Sequence, residues 1–230
     1  ELGAHVLLPD LDLSLEREND LAELVPAGGL HVHDAQGRIL LATMEYAAPV
    51  VPLPRPRPFL AAGSPDTSFA SSGVRTVGCA PESFASVQVA VAGNEIFVGT
   101  SVDIASLPDA DFFIEKLDEA GHQLEAEVVD FALGGGHRDY LTDLAVASGR
   151  LVAVGAAEFS NNADYDAAIA VLDTATLHLD PTFSGDGKLA VFFDLGGDNY
   201  DDMLAVTFDA AGRIVVAGRS QAGSSTWLGT

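Results

Sequence analysis

Phe208-Asp209-Ala210-Ala211-Gly212-Arg213-Ile214-Val215-Val216-Ala217-Gly218 is the stretch on which the fold turns, because weaker copies of it recur along all 230 residues. The copies are His33-Asp34-Ala35-Gln36-Gly37-Arg38-Ile39-Leu40-Leu41-Ala42-Thr43, Val91-Ala92-Gly93-Asn94-Glu95-Ile96-Phe97-Val98-Gly99-Thr100 and Ala147-Ser148-Gly149-Arg150-Leu151-Val152-Ala153-Val154-Gly155. Each reads as the end of one strand, a tight turn that Gly, Asp and Asn favour, and a second strand of β-branched and small residues. Arg38, Glu95, Arg150 and Arg213 hold the same place, at intervals of 57, 55 and 63 residues. A period of this size fits one small supersecondary unit used repeatedly, and the four strands of a propeller blade fill it.

A second signal has the same period. Ser64-Pro65-Asp66-Thr67-Ser68-Phe69 finds its partner in Leu179-Asp180-Pro181-Thr182-Phe183, with Asp66 and Asp180 separated by 114 residues, two periods of 57. Strands are expected at Ser86 to Ala92, Glu95 to Thr100, Asp111 to Leu117, Glu125 to Phe131, Leu141 to Ala147, Arg150 to Ala156, Asp166 to Leu172, Lys188 to Asp194, Met203 to Phe208, Arg213 to Gly218 and Thr226 to Leu228. Ahead of them Leu11, Leu13 and Leu15 alternate with Asp12, Ser14 and Glu16, the period of a half-buried strand over residues 6–16. Pro49 to Pro58 is expected to be an extended connecting loop, since proline cannot donate to a sheet ladder.

These residues resemble the bacterial delta-60 repeat family. Its units look like Leu-Asp-Pro-Thr-Phe-Ser-Gly-Asp-Gly-Lys, a Gly-Gly-Asp loop, then Asp-x-x-Gly-Arg-Ile-Val-Val-Ala-Gly, and Leu179 to Gly218 follows that pattern almost throughout. The resemblance implies a propeller-like all-β fold in exported or surface proteins. It carries no activity and no catalytic residues.

By analogy with other propellers, the strand before each Asp-Ala-Gly-Arg turn is innermost and the Lys188-type strand outermost. The last unit then lacks an outermost strand, while residues 6–16 supply one strand too many at the start. The expectation is a single domain, a four-bladed β-propeller of about 57 residues per blade. Its units are about 17–69, 70–123, 124–183 and 184–230, and residues 6–16 close the last blade so that no sheet edge stays open. Part of a larger propeller is the alternative.

Composition narrows the partners. With 34 acidic against 11 basic residues the net charge is −23, which repels nucleic-acid backbones and anionic lipid. No apolar run reaches the length of a membrane-spanning helix. Cys79 is the only cysteine, expected as a buried, inert thiol in an apolar run, so neither an internal disulfide nor a cysteine-ligated zinc is implied. Glu1 begins without a basic or apolar leader, so no signal peptide is expected in this sequence, and the secreted, periplasmic or cell-surface location is what the family resemblance implies.

Alternating strand direction gathers one set of loops on one face, and that face is rich in carboxylates. Asp139, Asp164, Asp166, Asp198, Asp201 and Asp202 are the candidate metal ligands, with Ca²⁺ the candidate ion because it selects crowded hard oxygen donors. The competing reading is a set of solvated acidic tips, and none of these loops has EF-hand spacing. His31 and His33, two apart on a strand, share a side and form a second candidate metal pair. Ser184-Gly185-Asp186-Gly187-Lys188 is a tight turn rather than a phosphate loop, since no Walker motif is completed and no helix follows. No nucleophile elbow occurs. The expected function is therefore that of a noncatalytic, exported binding or assembly module, meeting a protein or glycan partner, or further copies of itself, through its acidic loop face. The alternative is a propeller-fold hydrolase or lyase with paired carboxylates at the channel mouth.

Overall fold

A computed structural model describes residues 30–33, 39–47, 51–59, 66–71, 73–77, 86–103, 110–134, 138–160, 164–193, 195, 199–223 and 226–230. The expected strand at residues 6–16 and Cys79 lie outside them. The chain is all-β, with fourteen strands in four antiparallel sheets among the described residues. The first sheet runs β1 (Leu30–His33), β2 (Ile39–Ala47) and β3 (Val51–Phe59). The second runs β4 (Val87–Ala92), β5 (Glu95–Asp103), β6 (Ala110–Leu117) and β7 (Gln123–Val129). The third holds β8 (Asp139–Ala147), β9 (Arg150–Ser160), β10 (Asp164–Asp173) and β11 (Lys188–Val191). The fourth holds β12 (Asp201–Phe208), β13 (Ile214–Gly223) and β14 (Thr226–Gly229). In every sheet spatial order follows chain order.

Local chemistry builds the hairpins. Ser148 and Gly149 both take positive φ (52° and 78°), the turn that matches the right-handed twist of the flanking strands β8 and β9. The Asp-x-x-Phe turns form as a matched pair: the Ser68 amide donates to Asp66 Oδ1 at 3.0 Å, and the Thr182 amide to Asp180 Oδ1 at 2.9 Å. Gly73 and Gly187 then donate to the carbonyls of Phe69 and Phe183.

The proline-rich stretch corrects its expected assignment. Val51–Phe59 is not a loop but β3, paired with β2 from Ile39↔Phe59 to Ala47↔Val51. The phase of the prolines explains this. Backbone N–H groups alternate sides along a strand, and Pro52, Pro54, Pro56 and Pro58 occupy every second position, so all the missing donors fall on one edge. Val51, Leu53, Arg55, Arg57 and Phe59 keep theirs for β2, and among the described residues β3 is the outer edge of the sheet.

The sheets pack face to face along the first strands of their hairpins, β1 on β4, β4 on β8 and β8 on β12. Strand alternation sends successive side chains to opposite seams. Leu151 and Ala153 join the core between the second and third sheets, while Val152 and Val154 join that between the third and fourth. A sheet buried on both faces needs apolar residues at every position, which is why β9 and β10 read as unbroken apolar runs. The fourth sheet differs: Leu204 and Val215 are each 47% exposed, so one of its faces is open. Among the described residues β1 and β12 share no comparable packing, and no sheet closes on itself.

Candidate functional site

One end of the sheet stack collects the chemistry, because the first and third strands of the sheets begin there while the second and fourth end there. Asp111, Asp139, Asp164, Asp166, Asp201 and Asp202 stand at or near strand starts on this end, and Asp130 follows the end of β7.

Two of the aspartates are latches. The Phe131 amide donates to Asp139 Oδ2 at 2.7 Å, and the Phe193 amide donates to Asp201 Oδ2 at 2.6 Å. Each bond ties the chain just past one sheet's last strand, β7 or β11, to the start of the next sheet's first strand, β8 or β12. The loops they close align residue by residue, Phe131-Ala132-Leu133-Gly134 with Phe193-Asp194-Leu195-Gly196.

Asp139 also belongs to a cluster. One carboxylate oxygen from each of Asp111, Asp130 and Asp139 lies within 4.8 Å of the others. Asp111 and Asp139 are buried and Asp130 is exposed. Burial pushes the Asp139 carboxyl up to about 7; the Phe131 amide opposes that shift, and the negative charges of Asp111 and Asp130 add to it. Three convergent carboxylates fit part of the oxygen shell that Ca²⁺ takes.

The other candidate ligands are placed elsewhere. Asp202 is engaged by Arg219, whose Nε donates to Oδ1 at 3.0 Å and Nη2 to Oδ2 at 3.0 Å. Asp164 and Asp166 line a cleft of about 160 Å³ with Phe159 and Phe192. Asp198 and the side chains of His31 and His33 lie outside the described residues; β1 carries both histidines, opposite Leu41 and Ile39. Asp143 works as a seam: the Val206 amide on β12, an edge strand of its sheet, donates to its Oδ2 at 2.8 Å, joining the third sheet to the fourth.

Two features of this end escaped the sequence reading. Asp130 joins the carboxylate cluster although the next repeat has Phe192 in its place, so the period gave no cue. A chain of aromatic rings also crosses it, Tyr140 to Tyr165 (5.9 Å between centroids), Tyr165 to Tyr200 (4.9 Å) and Tyr200 to Trp227 (5.7 Å). Arg219 stacks on Trp227 at 4.4 Å and caps the row. The four rings come from separate strands and loops, and aromatic side chains near strand ends were the only signal available.

No family model matches the chain, and no curated protein matches it. Among solved structures it is similar to the crystal structure of the endo-arabinase from Bacteroides thetaiotaomicron VPI-5482, at 12% identity and a TM-score of 0.46, over 88% of this chain and 72% of that one.

Proposed function

We propose that the chain is a β-propeller of the delta-60 repeat kind, exported or surface-exposed and noncatalytic, which binds or assembles through the acidic end of its sheets. The observation that carries this reading is the state of the carboxylates there. Asp139 and Asp201 each give one oxygen to a loop latch and Asp202 is held by Arg219, whereas exposed Asp130 and the rims of the Phe159–Phe192 cleft reach solvent. Such an end offers contact surface rather than a reaction chamber.

Ring closure completes the reading. Leu204 and Val215 on the open face of the fourth sheet stand where a neighbouring blade would cover them, and the first sheet of the same chain is that neighbour in a four-bladed ring. Residues 6–16 would then pair with β14, the terminal strand of the fourth sheet.

A hydrolase reading has one observation in its favour: Asp139 titrates near 7, as a general acid should, beside a second buried carboxylate, Asp111. Access weighs against it. Asp139 is 2% and Asp111 4% exposed, so a glycosidic oxygen could not reach either without the latch opening. Incubation with a panel of polysaccharides, assayed for new reducing ends, decides between the two. The binding reading expects no release; release that Asp139→Asn abolishes would establish the enzyme instead.

A further inference from the structure

We propose that the cleft lined by Phe159, Asp164, Asp166 and Phe192 is a seat for a single organic cationic group, an alkylammonium or guanidinium. The inference rests on the binding role of the acidic end and names the chemistry of its ligand. At about 160 Å³ the cleft is roughly half the smallest volume that buries a drug-sized molecule, so it takes one functional group and not a whole compound.

Its construction selects that group. In the third sheet Ala157 pairs with Asp166, and Val191 pairs with Ala167, which brings Phe159 at the end of β9 and Phe192 just past β11 to either side of the start of β10. The two phenyl rings are 51% and 66% exposed, so each keeps ring surface open to a ligand. Ring faces carry negative quadrupole density and carboxylates carry full negative charge, so both wall types attract a cation and neither attracts an anion. Asp166 is buried and Asp164 half-buried at the start of β10, so the strand backbone holds the acidic side of the cleft in place. The net charge of −23 adds a long-range field that draws cations in and keeps a second copy of the chain away at low salt. An alkali ion has no apolar part to lay on a phenyl wall, whereas a weakly hydrated guanidinium stacks on one and an alkylammonium rests its methylene stem there while its head meets a carboxylate.

Titration of ¹⁵N-labelled protein with n-butylammonium and n-butylguanidinium, against NaCl at matched ionic strength, tests the seat. Saturable amide shifts confined to residues 157–166 and 190–193 are expected from the organic cations and not from NaCl. Phe159→Ala and Phe192→Ala should each weaken binding about threefold to fivefold with melting unchanged, and Asp164→Asn should weaken it further. Trilysine and spermidine as competing arms separate a protein-borne cation from a free polyamine, the tighter of the two marking the source. Shifts that track NaCl, or spread over every acidic loop, overturn the proposal. Saturation at the same amides by an oligosaccharide but not by butylammonium overturns the cation and leaves the binding reading standing. Polysaccharide cleavage with an intact butylammonium response would instead remove the binding reading and keep the seat.

Discussion

Gly155 and Gly218 end two copies of the repeated stretch, and what they supply is space rather than a turn. A Cβ on Gly155 would fall inside the carbonyl oxygen of Tyr140, and one on Gly218 inside that of Asp202; both sites lie beside the bulges that offset β8 from β9 and β12 from β13. Gly155→Ala and Gly218→Ala should each cost about 2 to 3 kcal/mol in chemical denaturation, whereas Gly229→Ala, with nothing in reach, should stay within about 0.5 kcal/mol. Asp139 makes a second residue-scale case. Its folded pKa, raised by burial to about 7, exceeds that of an unfolded aspartate, so the folded state holds the extra proton and its stabilising effect is full at acid pH. That contribution is lost as pH rises toward and through 7. Melting temperature should therefore fall between pH 5 and pH 8, and Asp139→Asn, which keeps an oxygen for the Phe131 amide, should flatten the fall. The turns were legible because their signals are local: Asp209 accepts from the Ala211 and Arg213 amides within five residues. The same turn recurs unannounced at Asp118, which accepts from Ala120 and His122 but joins β6 to β7 instead of β12 to β13. Turn chemistry thus fixes a hairpin without saying which one.

At the scale of elements, strand pairing was legible from the period, but strand edges were not. Proline density in Val51–Phe59 argued for a loop, and the phase of those prolines made an edge strand of it. Density is a property of composition and phase a property of register, which appears only once β2 is in place. Replacing Pro52, Pro54, Pro56 and Pro58 with threonine restores the outward amides, so the variant should keep its far-ultraviolet circular dichroism yet aggregate, read by light scattering. Deleting residues 1–19 tests the other edge. With 6–16 as the strand that covers β14, the truncated protein should lose several kcal/mol and associate; unchanged melting and a monomeric elution would sink the closure. Partners across seams were beyond sequence reading for a related reason. Asp143 finds the Val206 amide 63 residues away, and Lys116 finds the Thr174 carbonyl 58 away, contacts that exist only because neighbouring sheets repeat at that distance.

For the whole molecule, −23 charges on 230 residues oppose compactness, and the acidic end concentrates that repulsion where Asp111, Asp130 and Asp139 converge. A divalent ion bound only by the folded state would relieve it. Millimolar Ca²⁺ is expected to raise the melting temperature by a few degrees, a chelator to reverse the gain and Asp130→Asn to remove it. Monovalent salt should give a smaller rise that Asp130→Asn leaves in place. The four outer strands meet the solvent in four different ways. β3 has prolines along its free edge, β7 carries Glu125 and Glu127, and β11 is four residues long and opens with Lys188. β14 is equally short but uncharged, with Trp227 and Leu228 exposed. Each of the first three uses a known deterrent to strand addition, and the fourth uses none. Among the outer strands of the described residues, β14 is accordingly the one left open to a further strand, the place where residues 6–16 are proposed to pair. In a chain deprived of residues 6–16, two copies that met through β14 would cover each other's exposed outer edge and associate as a twofold pair.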